Sequence, residues 1–202
     1  MADDVAGARA VQSEAMDRWS RQGFHFQRYV SLIALGQIDL YVGEGESAWS
    51  RVSAHWSDVS RAMMMRLQML RVEMLHLRAR SALAAAREPS RRQASLESAS
   101  RDARRLVRER TAWARPLADL VLAGVAAMRH EPDAAALAER AVSGFELSHM
   151  AAHAAAARRR FGELTGGDGG ATLVAEADAW MRSQGVVNVD RMTAMLAPGF
   201  PE

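Results

Sequence analysis

A chain of 202 residues, 49% hydrophobic, 25% charged and with a formal net charge of +2, is long enough to bury a sizeable core and too apolar to stay disordered. Cysteine is absent, which excludes disulfides, thiolate metal sites and a cysteine nucleophile. All 26 basic residues are arginine, so a P-loop lysine, a protein-kinase strand lysine, a Schiff-base lysine and a Ser–Lys pair are excluded together.

The first helix is expected over residues 4–20, with Val5, Ala8, Val11, Ala15 and Trp19 as its apolar stripe and Gln22-Gly23 closing it. The next two form a hairpin. Residues 24–42 show apolar positions at helical spacing, and residues 46–59 carry Trp49, Val52, Trp56 and Val59 at steps of three and four. They meet at Gly43-Glu44-Gly45, with Gly36 and Ala48 as small residues where the helices touch.

A fourth helix is expected over residues 61–87, roughly 40 Å long at about 1.5 Å per residue. Met63, Leu67, Leu70, Met74 and Leu77 make one stripe, and Met65, Met69, Val72, Ala79 and Leu83 another. A helix apolar over so wide an arc lies between neighbours. Pro89 ends it and starts a fifth, reaching to Trp113 on a narrow stripe of Leu96, Ala99, Ala103, Leu106 and Val107. Arginines crowd the opposite side of that fifth helix and place it on the outside.

Pro116 opens a sixth helix that ends near His130, Pro132 opens a seventh, and an alanine-rich eighth covers residues 148–161. Gly166-Gly167-Asp168-Gly169-Gly170 reads as a flexible break. Short helices over 171–183 and 189–196 follow, then Pro198-Gly199-Phe200-Pro201. This tail reads as a cap on the last exposed repeat face. Gly36, Ser81 and Gly124 recur about 45 and 43 residues apart, and Gly36, Gly43 and Ala48 have the small-residue spacing of a tetratricopeptide repeat. Asp39 stands where that pattern has an aromatic residue.

The acidic start, Met1-Ala2-Asp3-Asp4-Val5, lacks the basic-then-apolar form of a signal peptide. The nearest approach to a membrane span, residues 117–128, is too short and contains Asp119. A cytoplasmic location is expected.

The runs Phe24-His25-Phe26-Gln27, Asp39-Leu40-Tyr41-Val42-Gly43-Glu44-Gly45 and Ala48-Trp49 through Trp56 resemble a known family. So do Arg71-Val72-Glu73, Leu77-Arg78-Ala79-Arg80, and Trp180-Met181 through Gln184-Gly185-Val186 to Ala197-Pro198-Gly199-Phe200. The family is that of bacterial, myxobacterial-type multidomain serine/threonine protein kinases, and the similar part is their C-terminal helical region. The resemblance implies a tetratricopeptide-like sensor or scaffold in kinase-linked signalling. This chain carries no kinase or nucleotide-binding segment, so no catalytic residue is implied.

Net charge is −2 over residues 1–56, +8 over 57–129 and −4 over 130–202. A basic middle suits an anionic partner, or arginines that solvate outer helix faces. Glu97/Arg101 and Arg105/Glu109, each four apart, are the pairs of such a surface. Glu73-x-x-His76 and Glu146-x-x-His149 have the spacing of di-metal bundles, with His153 one turn further on. Serine has no nucleophile-elbow context, and the glycine runs lack a strand-then-helix setting.

The expectation is an all-α, tetratricopeptide-like stack of helical hairpins (an α-solenoid) over 1–165, with a glycine linker and helical cap over 166–202. Its function is non-catalytic binding of a protein or peptide, preferentially acidic, beside a linked or separate kinase or ATPase module. No cofactor and no membrane are involved. Arg66, Arg71, Arg78 and Arg80 are the candidate contacts, clamping carboxylates by bidentate hydrogen bonds. The alternatives are a di-metal carboxylate protein using Glu73, His76, Glu146 and His149, and an arginine-rich nucleic-acid binder whose affinity falls steeply with salt.

Overall fold

A computed structural model of the chain describes residues 3–19 and 24–200. Among them are ten α-helices and no strand: α1 Val5–Asp17, α2 Phe26–Tyr41, α3 Gly45–Arg61, α4 Gln68–Ala85, α5 Arg92–Arg108, α6 Ala114–Met128, α7 Ala134–Leu147, α8 Ala151–Thr165, α9 Gly167–Ser183 and α10 Val189–Leu196. Each helix from α1 to α9 packs on its successor. With connections this short, packed successive helices run antiparallel. α4 also touches α2 and α6, so α2, α4 and α6 share one layer.

The expected long helix is divided. Ala62 and Leu67 are extended, and a 3-10 turn, Met63–Arg66, lies between them. α4 is therefore 18 residues, about 27 Å long. α4 is buried on two sides as expected, although Met63, Leu67 and Met69 of the two expected stripes are largely exposed. Leu70, Met74 and Leu77 join Tyr29, Leu32, Leu40, Val52 and Val59 in one core. Val72, Leu75, Ala79 and Leu83 join a second core shared with the later helices. α5 is the outer helix expected, with Leu96, Ala99, Ala103 and Leu106 buried and Arg101, Arg104, Arg105 and Arg108 exposed.

Small residues mark the closest approaches. A Cβ on Gly45 would lie 2.7 Å from the carbonyl carbon of Ala84, so α3 starts directly against the end of α4. Gly45→Ala is expected to destabilise by about 1–3 kcal/mol, as overpacking does. Chemical denaturation checks this, and an unchanged midpoint would contradict that closeness.

The surface pairs form otherwise than their spacing suggests. Glu97 accepts from Gln93, and Glu109 is taken by Arg71. α1 has no buried residue, Val11 is 69% exposed and Trp19 50% exposed, so its stripe does not enter a core. Polar contacts hold it instead. Arg9 reaches the buried Asp39 at 3.0 Å, and Gln12 donates to Ser31 at 2.6 Å. The expected end of this helix at Ser20, its closure by Gln22-Gly23, and Pro201 lie outside the described residues.

The glycine run is not a linker. Gly166, in a left-handed conformation at φ 66°, is the whole break, and residues 167–170 form the first turn of α9. A Cβ on Gly162 would meet the Gly170 carbonyl oxygen at 2.6 Å, which is how closely α8 and α9 approach. The end of the chain does more than cover a last face. α9 lies on α8, but α10 also packs against α2, carrying the tail back toward the first hairpin.

Candidate functional site

The layer of α2, α4 and α6 receives α10 between α2 and α8. Arginines hold this returning segment through its backbone. Arg80 donates to the Met195 carbonyl at 2.6 Å, and Arg160 donates to the Ala197 carbonyl at 3.0 Å with its guanidinium 5.3 Å from the Phe200 ring. Arg191 pairs with Asp3 at 3.1 Å, tying α10 to the start of the described chain.

Beneath α10 lies a pocket of about 310 Å³. α4 contributes Glu73, His76 and Arg80, which spacings of three and four place along one face. α8 adds His153, and Ile33, Leu117, Trp113, Met150 and Leu196 supply an apolar lining. The His76 and His153 rings are 6.0 Å apart, and Phe145 backs His153 at 5.3 Å. Tyr29 Oη sits 2.8 Å from both a Glu73 oxygen and the Leu70 carbonyl. Burial, then the Glu73 carboxylate, raises the Tyr29 phenol well above its ordinary range.

Burial dominates the electrostatics of the pocket. It pushes Arg80 down to about 10, against the opposing attraction of Glu73, so the guanidinium stays charged at neutral pH. It holds His76 well below the ordinary imidazole value, helped by the Arg80 charge and then by the neighbouring His153, since two imidazoles this close resist being protonated together. His153 is brought down to about 4 by burial and then by Arg80. Both imidazoles are therefore neutral beside a buried cation. His76 Nε2 and Arg80 Nε are buried without a hydrogen-bond partner among the described residues.

The four arginines expected at a binding face are not brought together as one. Arg66 is exposed on the 3-10 turn. Arg71 grips Glu109 with Nε at 2.7 Å and Nη2 at 2.6 Å, and this pairing holds the Glu109 carboxyl below its ordinary range. Arg78 grips the fully buried Asp102 through the same two atoms at 2.6 Å each, its guanidinium 3.3 Å above Trp56. Both guanidiniums are thus engaged within the fold, and removing either one strands its carboxylate partner.

The two Glu-x-x-His motifs are not brought together either. The second one straddles the end of α7, because His149 has φ 56° and is the left-handed residue of a helix terminus. The Met150 amide donating to the Phe145 carbonyl at 2.9 Å completes that closure. Glu146 pairs with Arg158. No cluster of three or more metal-binding side chains occurs among the described residues. His153, not His149, is the histidine that joins His76. Its place in the sequence, one turn beyond the motif, was the available signal, and only the fold, which brings its ring to 6.0 Å from that of His76, singles it out. No helix among the described residues is long and apolar enough to cross a membrane. Comparison with protein-family models, with curated proteins and with solved structures finds no match.

Proposed function

We propose that the chain is a non-catalytic, tetratricopeptide-like helical-repeat scaffold or sensor module that works by binding a protein or peptide. The observation that carries this reading is the seating of the chain's own residues 189–200 against α2, α4 and α8. Arg80 and Arg160 reach main-chain carbonyls there, so the grip is on backbone. A surface that holds one peptide segment this way has the chemistry to hold another. Hairpins stacked in sequence order bury a continuous core and present a face on which an extended or helical segment can be seated. The setting in kinase-linked signalling rests on the resemblance of the quoted segments alone.

The test is an array of acidic 12-residue peptides, and their Asn/Gln counterparts, probed with the full chain and followed by solution titration. Saturable binding with Kd of about 1–100 μM is expected for a subset. An array on which no peptide binds saturably overturns the reading.

A further inference from the structure

The arginines of α4 supply an internal comparison. Arg71 and Arg78 each present Nε and Nη2 as a fork, and each fork is closed on a carboxylate. Arg80, two residues after Arg78, is turned into the pocket and is 4% exposed. Its Nη1 is spent on the Met195 carbonyl, while its Nε has no partner among the described residues. His76, 5% exposed and one turn away on the same face, has Nε2 in the same condition. A buried guanidinium whose fork is not closed is costly in a low-dielectric site, and a carboxylate is the group that removes this cost most completely.

We infer that this pocket is a binding site for a small monocarboxylic acid with an apolar body, its carboxylate taken by the Nε edge of Arg80 and by His76. In its neutral form His76 offers Nε2–H as a donor in one tautomer. The body of the acid lies against Ile33, Leu117, Trp113 and Leu196. A volume of about 310 Å³ is at the small end for ligand pockets. Glu73 already supplies one negative charge to the pocket, so a ligand with a single carboxylate is tolerated at the Arg80 edge far better than a dianion. Glu73 lines the same pocket with its carboxylate beside Tyr29 and repels any further anionic group. Arg80 holds both the acid and the α10 carbonyl, so occupancy bears directly on the seating of the C-terminal segment. The site stands independently of whether the neighbouring face binds a protein.

The test is isothermal titration calorimetry of the full chain at pH 7 with hexanoate, phenylacetate, their primary amides, adipate and inorganic phosphate. A pentapeptide with a free C-terminal leucine carboxylate is added to separate a small acid from a chain end. One site per chain is expected for hexanoate or phenylacetate, with binding weakened at least about tenfold in the matching amide and in adipate. Arg80→Gln should abolish it. Because Arg80 is buried and that variant can fail to fold, His153→Trp, which fills the pocket from α8 and leaves Arg80 in place, should abolish it too. Four outcomes overturn the assignment: no saturable heat with either acid, equal binding of acid and amide, binding of phosphate alone, or tighter binding of the pentapeptide than of both acids.

Discussion

Arg78→Ala is expected to destabilise the fold by about 3–5 kcal/mol, the usual consequence of removing one partner from a buried ion pair. Asp102 is fully buried on α5, and its two oxygens receive Arg78 Nε and Nη2 at 2.6 Å each. Arg105, at 3.8 Å and half exposed, is too distant to replace that fork. Removing Arg78 leaves a carboxylate in low dielectric between α4 and α5, and also strips a cation from the face of Trp56. Replacing both partners at once, Arg78→Met with Asp102→Leu, removes the stranded charge. That double variant should lose markedly less than the two single losses combined. Urea unfolding followed by tryptophan fluorescence measures all three. A loss below about 1 kcal/mol for Arg78→Ala would show the pair to behave as a solvated surface bridge instead.

Stability should fall steeply as pH drops from about 6.5 to about 4, and His153 should carry a large part of that slope. In the unfolded chain an imidazole binds its proton near pH 6.5. In the folded chain burial holds His153 at about 4 and His76 well below its ordinary value. Between those limits the unfolded state holds more protons, so acid favours unfolding; above about pH 6.5 the contribution is fully present. For His153 alone it is on the order of 3 kcal/mol. The groups facing His153 are His76, Arg80 and Glu73 from α4 and Phe145 from α7. The one carboxylate among them does not offset the Arg80 cation, which disfavours a second positive charge. Glu109 and Asp3, held low by Arg71 and by Tyr41 respectively, act in the same direction at lower pH. His153→Phe separates the effects. Its unfolding midpoint, followed from pH 8 to 4, should decline less than that of the parent chain. Parallel declines would mean that His153 takes up its proton within the fold.

The helices were legible because each carries its own local signal. The stripe of Leu96, Ala99, Ala103 and Leu106 shows a 3.6-residue period with no knowledge of its neighbour, and Pro89 and Pro116 mark boundaries by backbone chemistry alone. Boundaries failed where the signal was not local. Met63, Leu67 and Met69 extend the apolar pattern of α4, yet the chain breaks at Ala62 and Leu67, and all three side chains are largely exposed. The glycines at 167–170 are poor helix formers, yet α9 includes them; Gly170 lies where α8 admits no side chain, a Cβ there clashing with the Gly162 carbonyl oxygen, while Gly167 and Gly169 have open space around them. The candidate site was legible by half. Arg80 was singled out as one of four arginines and His76 by its spacing from Glu73, but nothing in the sequence distinguishes Arg80 from Arg71 or Arg78.

By itself the sequence determined an all-helical chain, the number and order of its helices, and a fourth helix buried on two sides. Periodicity and composition are properties of the chain alone, and these follow from them. Only the tertiary structure decided which arginine has a carboxylate waiting on the next helix. Glu109 and Asp102 lie 38 and 24 positions from their partners, across the α4–α5 crossing. It also decided that His153 rather than His149 meets His76, and that α10 returns to α2. Those pairings depend on how the helices cross, which is set by side-chain fit between elements distant in the chain and leaves no periodic trace in any one of them.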